Sequence, residues 1–446
     1  MKRGVRKILF YGFALAFVVS ATYMLMVAQG LALDVQNFKL VKTGAVFLKF
    51  NPDDAVISVN GKPQNKSKGF LRSGIFLNNL TPKEYEIVIS KNGFYSWVRK
   101  LKVYPGLISS ASQIKLWPDP LKETPIISKV SDFWVTSLGL VYKNDRDKIL
   151  FDEEVLKGEG VVLASEKSTF LITDLGGSYF LINLENYDNA LNLTNLFNSL
   201  KQRQLLLPGE VPIKNVFFHP FSSQKILIIT DTSLYALDIK KVQLERLLTV
   251  DDSIKDASVS NSDVTVLGEE AIISYSLLLK NPSLYPLDIT NAVRIGVSSD
   301  GNNIILLTKN GSAFDYDKSL DKSDLISENI NDFYFSPDKK RAFLVGKDES
   351  SKIYYFENFA KDNEYVAHSL VELPIKVEEN PNFYWLPGAN YGILKSNDSI
   401  YAVELDSGSL QSQNYYKLES SVIKFIWSKK LYILKSNGTL FEVEGI

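Results

Sequence analysis

The chain has no cysteine, only two histidines (His219 and His368), and three methionines, Met1, Met24 and Met26, so no sulfur follows Met26. Without cysteine there are no disulfide staples, thiolate zinc sites, thiol nucleophiles or lipidated N-terminal cysteine. Two histidines leave little for a transition-metal centre. Charge of one sign is also lacking: 50 Lys and Arg face 51 Asp and Glu, a net charge of −1. Lys2, Arg3, Arg6 and Lys7 lie before the first apolar run, which leaves the remainder mildly acidic. Such a body has no field to gather phosphate backbones, and nucleic acid is not an expected partner.

Catalytic signatures are missing too. No Gly-x-Ser-x-Gly elbow and no phosphate-cradling glycine loop is found. Carboxylates gather at Asp145/Asp147, Asp251/Asp252 and Asp317/Asp321/Asp324, without the Asp-x-Asp-x-Asp-Gly order of a calcium loop. They fall where hairpin turns are expected and read as solvated turns. His219, before Pro220, and His368 read as surface or turn residues rather than general bases. No catalytic residue, metal or cofactor is expected, although acidic pairs in a channel remain a route to lyase or glycan chemistry.

What is present begins with Ile8 to Leu33, a run without a charged side chain. As a helix it would reach about 39 Å, enough to cross a hydrocarbon core of roughly 30 Å. Positive charge ahead of it favours an N-terminus in the cytoplasm. The expectation is a single-pass anchor in a bacterial cytoplasmic membrane, with residues 8–33 in the lipid and the rest of the chain outside. A cleaved signal peptide is the competing interpretation, with Ala28-Gln29-Gly30 or Gly30-Leu31-Ala32 as the cut site.

Residues 35–119 alternate short strand-like runs with turn signals. Val46–Phe50 precedes the turn Asn51-Pro52-Asp53-Asp54, and Ala55–Val59 ends at the hairpin dipeptide Asn60-Gly61. Tyr85–Ile89, Trp97–Val103 and a closing Gln113–Trp117 follow. Five or six short strands predict a compact β-sandwich. Gly44, Pro52-Asp53-Asp54-Ala55, Val56, Val59, Asn60-Gly61, Gly93-Phe94 and Leu116 together make this segment resemble the PEGA domain. Asp53-Asp54 departs from the family's Glu-Gly pair, and Pro82-Lys83-Glu84-Tyr85 from its Pro-Gly turn. The resemblance implies a non-catalytic envelope module. Phe94, Tyr95 and Trp97 are candidate contacts for a sugar face or a partner; the alternative is that they close the sandwich core.

Residues 120–446 repeat at roughly 35–45 residues, which calls for an array. The clearest opening is Ile330-Asn331-Asp332-Phe333-Tyr334-Phe335-Ser336-Pro337-Asp338. Thr232-Ser233-Leu234-Tyr235-Ala236-Leu237-Asp238 matches Asp398-Ser399-Ile400-Tyr401-Ala402-Val403-Glu404 and Gly438-Thr439-Leu440-Phe441-Glu442-Val443. Units start near Ser131, Glu159, Pro212, Ser253, Asn291, Glu328, Ile375 and Ser420. Pro125 to Val130 is available as the missing fourth strand of the last unit, closing the ring. These patterns resemble WD-repeat-like bacterial β-propellers, similar to that of the periplasmic Tol system and the non-catalytic propellers of prolyl peptidases. Eight blades are favoured over seven. Asn195 to Gln204 interrupts the rhythm as a short amphipathic helix capped by Asn195, which covers an edge or recruits a partner.

The expected fold is therefore mainly β: a transmembrane helix (1–34), a PEGA-like sandwich (35–119) and a propeller (120–446). The expected role is a non-catalytic binding or scaffold protein of the envelope whose partner is an envelope protein or a cell-wall glycan. A glycan-directed enzyme is the less favoured alternative.

Overall fold

A computed structural model of the chain describes residues 3–34, 39–64, 74–358, 367–373, 376–377, 382–405 and 415–444. Lys2 and the unit start at Ile375 lie outside the described residues. The chain divides into two compact units, the first holding the residues up to Pro120 with Tyr415 and Tyr416, the second the rest from Leu121 on.

The first unit opens with α1 (Arg3–Ala28). Within it, Leu9–Ala28 is long and apolar enough to cross a membrane and is nowhere covered by protein. The helix ends five residues before the apolar run does. Gly30 takes a left-handed φ of 70°, and its N–H turns back to Val27 O at 3.0 Å, a glycine stop of the usual kind. Leu31–Asp34 then forms a strand paired with Lys39–Lys42, so residues 31–33 belong to a hairpin rather than to the helix. Thr43 fixes this exit: its N–H and its hydroxyl both donate to Gly30 O, at 2.7 and 2.9 Å.

Beyond Thr43 lies a β-sandwich of seven strands. One sheet contains Ile75–Leu80, Gly44–Asn51 and Ile108–Lys115; the other contains Lys62–Gln64, Val56–Val59, Glu84–Ser90 and Trp97–Lys102. Strict alternation sends Tyr85, Ile87 and Ile89 inward to meet Val46, Leu48, Ile57 and Ile114 in one core. Asn60 and Gly61 both have positive φ, 46° and 74°, as a two-residue hairpin loop requires. Two strands went unread in the sequence, Ile75–Leu80 and Lys62–Gln64. The closing strand is also earlier than expected, at Ile108–Lys115 rather than Gln113–Trp117. Gln113, at a left-handed φ of 67°, shifts its pairing with Gly44–Asn51, and this bulge disguised the alternation.

The second unit contains eight four-stranded antiparallel sheets, a propeller-like array. Sheets one to seven begin at Val130, Gly160, Asn215, Asp256, Ala292, Ile330 and Asn382, each using four consecutive strands. Sheet eight joins Val422–Trp427, Leu431–Lys435 and Leu440–Glu444 to Lys122–Ile127, the first strand of the unit. The borrowed strand lies slightly earlier than the expected Pro125 to Val130.

The middle strands explain why sheets stack. Every residue of Ile304–Thr308 and of Arg341–Gly346 is buried, because both faces of each sheet are covered. Ile226 and Ile228 pack toward sheet two, whereas Leu227 and Ile229 pack toward sheet four. The same sharing joins sheets six and seven through Phe343 and Leu394. It joins sheet eight to sheet one through Leu434 and Phe133.

Between sheets two and three sits α2 (Leu193–Leu205). Its cap is Asn192, not Asn195: the Asn192 side chain accepts the Asn195 N–H at 2.8 Å, which puts Asn195 inside the first turn. Leu193, Phe197 and Leu200 are buried on one face. Gln204 extends its amide to the edge of sheet three, donating to Val242 O at 3.1 Å and accepting from Leu244 N at 2.8 Å. The helix therefore covers an exposed strand edge.

Candidate functional site

Neighbouring sheets are stitched through polar side chains on their first strands. Arg294 of sheet five meets Asp332 of sheet six at 2.7 Å. Ile295 N of sheet five donates to Asp256 Oδ2 of sheet four at 2.9 Å, and Asn382 of sheet seven donates to Phe425 O of sheet eight at 3.0 Å. Lys424 of sheet eight reaches Asp132 of sheet one at 2.6 Å. In sheets one, five, six and eight the pairing register slips just before the charged residue, between Val130 and Asp132, Ala292 and Arg294, Ile330 and Asp332, and Val422 and Lys424. A bulge re-aims the side chain that follows it, and here that side chain is the charge that bridges to the next sheet.

A cavity of about 670 Å³ is lined by the first strands of sheets one, seven and eight and by the residues just after that of sheet two. Four aromatic residues, Trp134, Tyr384, Phe425 and Trp427, line it together with Glu166, Lys167 and Lys424. Lys424 Nζ sits 4.7 Å from the centre of the Trp134 ring, so the indole face helps to hold the cation. Tyr384 points outward because alternation buries its neighbours Phe383 and Trp385. Burial, and secondarily the charge of Glu166, pushes the Tyr384 hydroxyl above its ordinary range. It is therefore a neutral hydrogen-bond donor and acceptor at physiological pH. Glu166 is the only carboxylate among the lining residues, and neither histidine is among them. This arrangement offers flat apolar faces, two cations and one anion: the means to hold a ligand, without the paired carboxylates that glycoside hydrolysis uses.

The sequence candidates lie elsewhere, in the first unit. Trp97 is fully buried at 0% exposure, Phe94 packs against the same core, and Tyr95 is half-buried. Tyr95 N donates to Trp117 O at 2.8 Å. Trp97 is thus unavailable for stacking on a sugar from outside; it fills the sandwich. His219 ends a strand and its Nδ1 accepts the Phe221 N–H at 3.2 Å. Burial, then nearby Lys225, lowers its pKa, so it stays neutral. The acidic clusters serve turns: Asp317 accepts from Ser319 N at 2.7 Å, and Asp321 from the Tyr316 hydroxyl at 3.2 Å. No group of three or more histidines and carboxylates able to hold a metal occurs among the described residues.

One constellation escaped the sequence. The Tyr354 hydroxyl donates to Asp315 Oδ2 at 2.8 Å, and His368 Nδ1 lies 2.9 Å from that hydroxyl and 3.2 Å from the carboxylate. Burial raises the pKa of Asp315 despite its partners. Asp315 occupies the strand position that Ala236 and Ala402 hold in the matching units, and a carboxylate at a buried alanine position was the available signal. The trio joins the third strands of sheets five and six and acts as a joint.

No family model matches the chain, and no curated protein matches it. Among solved structures it is similar to the computationally designed Ika8 protein, with 12% identity and a TM-score of 0.46 over 73% of this chain and 98% of that one. It is also similar to KlHsv2 with loop 6CD replaced by a Gly-Ser linker, with 10% identity and a TM-score of 0.42 over 66% and 98%. Likenesses this distant assign neither a ligand nor a role.

Proposed function

We propose that this chain is a membrane-anchored, extracytoplasmic, non-catalytic binding protein of the cell envelope. In this proposal α1 is the anchor, the PEGA-like sandwich a spacer, and the array a closed, eight-bladed, WD-repeat-like propeller that receives a partner protein. The cavity carries the proposal: the first strands of three sheets and the residues just after the first strand of a fourth line one opening that mixes aromatic faces with both signs of charge, the composition of a recognition site. The pairing of Lys122–Ile127 with Leu440–Glu444 supports closure. Orientation is supported by Lys2, Arg3, Arg6 and Lys7 before the span against Lys39 and Lys42 soon after it. Retention of α1 is supported by Gly30, which bonds into the folded unit through Thr43. The spacer role is supported by the parallel pair Gly44–Asn51 and Ile108–Lys115, which carries the chain in at one end of the sandwich and out at the other.

The test is a photo-crosslinking residue at Tyr384 of the full chain in its own envelope. The expected product is a discrete protein adduct that disappears when Glu166→Lys and Lys167→Glu reverse the local charges. An adduct that survives the reversal, or turnover of a wall polymer by the purified chain, overturns the proposal. A second reading, binding of a wall glycan, is favoured by Trp134 and Tyr384 in the same cavity. Saturable binding of soluble wall fragments that Tyr384→Ala abolishes would establish it.

A further inference from the structure

The end of α1 and a turn of the sandwich are only two backbone hydrogen bonds apart. Gly30 O accepts the Thr43 N–H at 2.7 Å, and Thr43 O accepts the Gly106 N–H at 2.9 Å. Gly106 belongs to Tyr104-Pro105-Gly106-Leu107, closed by Leu107 N to Tyr104 O at 3.2 Å, with Gly106 at a left-handed φ of 69°. Proline and glycine at the two central positions define a type II turn. Such a turn is rigid, and its side chains are directed by the backbone.

Those side chains are unusual for a water-facing tip. Leu107 is 59% exposed, Ile108 61% and Tyr104 39%, and Leu40 of the adjoining hairpin is 55% exposed. Lysines surround them. Lys102 Nζ lies 5.2 Å from the Tyr104 ring, the Lys42 side chain lies against Gly106, and Lys39 is exposed on the same hairpin. Glu84 pairs across from Lys102 and Asp34 across from Lys39, and these are acidic counterweights. Aliphatic tips, a tyrosine and long basic side chains at the mouth of a span are the composition that settles at the bilayer interface.

We propose that the Tyr104–Ile108 turn, with Leu40, Lys39, Lys42 and Lys102, is a second membrane contact, seated in the lipid headgroup layer beside the exit of α1. It rests on the membrane-anchored reading of α1. The contact makes the sandwich stand on the bilayer by a defined end instead of swinging on a flexible stalk. Gly44–Asn51, of 8 residues, then carries the chain about 23 Å along the sandwich away from that end.

The absence of cysteine makes the test clean. Single cysteines at Leu107, Val56 and Val18 of the full chain carry an environment-sensitive fluorophore, and the protein is placed in vesicles of phosphatidylcholine and phosphatidylglycerol. Val56 is 55% exposed and follows the turn at the far end of Gly44–Asn51, where Ala55 N bonds to Pro52 O. Spin-labelled lipid is expected to quench the Leu107 probe at least about twofold more than the Val56 probe, and aqueous iodide to do the reverse. If Val18 is quenched by lipid but Leu107 behaves like Val56, the second contact is overturned and the span stands. If Val18 is reached only by iodide, the span falls and the contact falls with it.

Discussion

Lys424 Nζ lies 2.6 Å from Asp132 Oδ1, although 292 residues separate them in the chain. The pair joins the first strands of the last and first sheets, where one sheet is assembled from both ends of the array. Arg294 and Asp332 make the same contact between sheets five and six. The position recurs at these two junctions, and at each a cation meets an anion next door.

Lys424→Met and Asp132→Asn should each destabilise the second unit, with a coupling energy of about 1 kcal/mol, because the pair is only partly buried. A double-mutant cycle in urea on the full chain in detergent measures it. The coupling should shrink in high salt. Strict additivity of the two variants would remove the pair's energetic role.

Arg341 carries a larger expected effect. It is wholly buried and donates to Leu405 O at 2.7 Å, Ala389 O at 2.6 Å and Asp338 Oδ2 at 3.0 Å. Arg341→Ala leaves buried acceptors and a carboxylate without their donor, at a cost of about 3–5 kcal/mol. Arg341→Lys should recover little, since an ammonium does not reproduce the planar fork. Thermal unfolding of the two variants checks this, and near-native stability of the lysine variant would contradict it.

Trp97→Ala should destabilise the sandwich by about 3–5 kcal/mol through the cavity it opens. Its strand neighbour Val98, 39% exposed on the other face, should tolerate serine within about 0.5 kcal/mol. Limited proteolysis followed by mass spectrometry locates the loosened region. Cleavage of the Trp97→Ala variant is expected between Gly44 and Trp117.

Lys115 gives a pH-dependent prediction. Burial lowers its pKa from 10.5 to about 8, although its Nζ lies 4.6 Å from the Trp117 ring centre. The folded state releases this proton more readily than the unfolded chain, so folding bears the full penalty below pH 8. The penalty fades between pH 8 and 10.5 and is absent above. Lys115→Met should therefore be more stable than the natural chain by about 1 kcal/mol at pH 7. The difference should close as pH rises through that window, read from melting temperatures of both proteins across it.

Much of the fold was legible because its signals are local. Small turn residues ahead of Leu234-Tyr235, Ile400-Tyr401 and Leu440-Phe441 marked strands that the structure places third in their sheets, and Asn60-Gly61 marked a hairpin. The end of α1 was hidden because Gly30 lies within a run without charge, where composition does not separate a helix from a hairpin strand. The cavity was not legible at all. Trp134, Glu166, Tyr384 and Lys424 come from four sheets, and only the curvature of the array brings them together. The aromatic trio left two readings open in sequence, and burial decides Trp97 for the core.

The sheet built from both ends has a consequence for how the molecule is made. Lys122 emerges 322 residues before the Glu444 it will meet, so during synthesis its strand waits with an unpaired edge. Seven sheets can form in order, but the eighth is assembled only once Leu440–Glu444 has followed. Until then the nascent array presents two sticky flanks of the sort that recruit chaperones or neighbouring chains. Loss of Leu440–Glu444 would leave Lys122–Ile127 without its strand partner, an unpaired edge of the kind that aggregates.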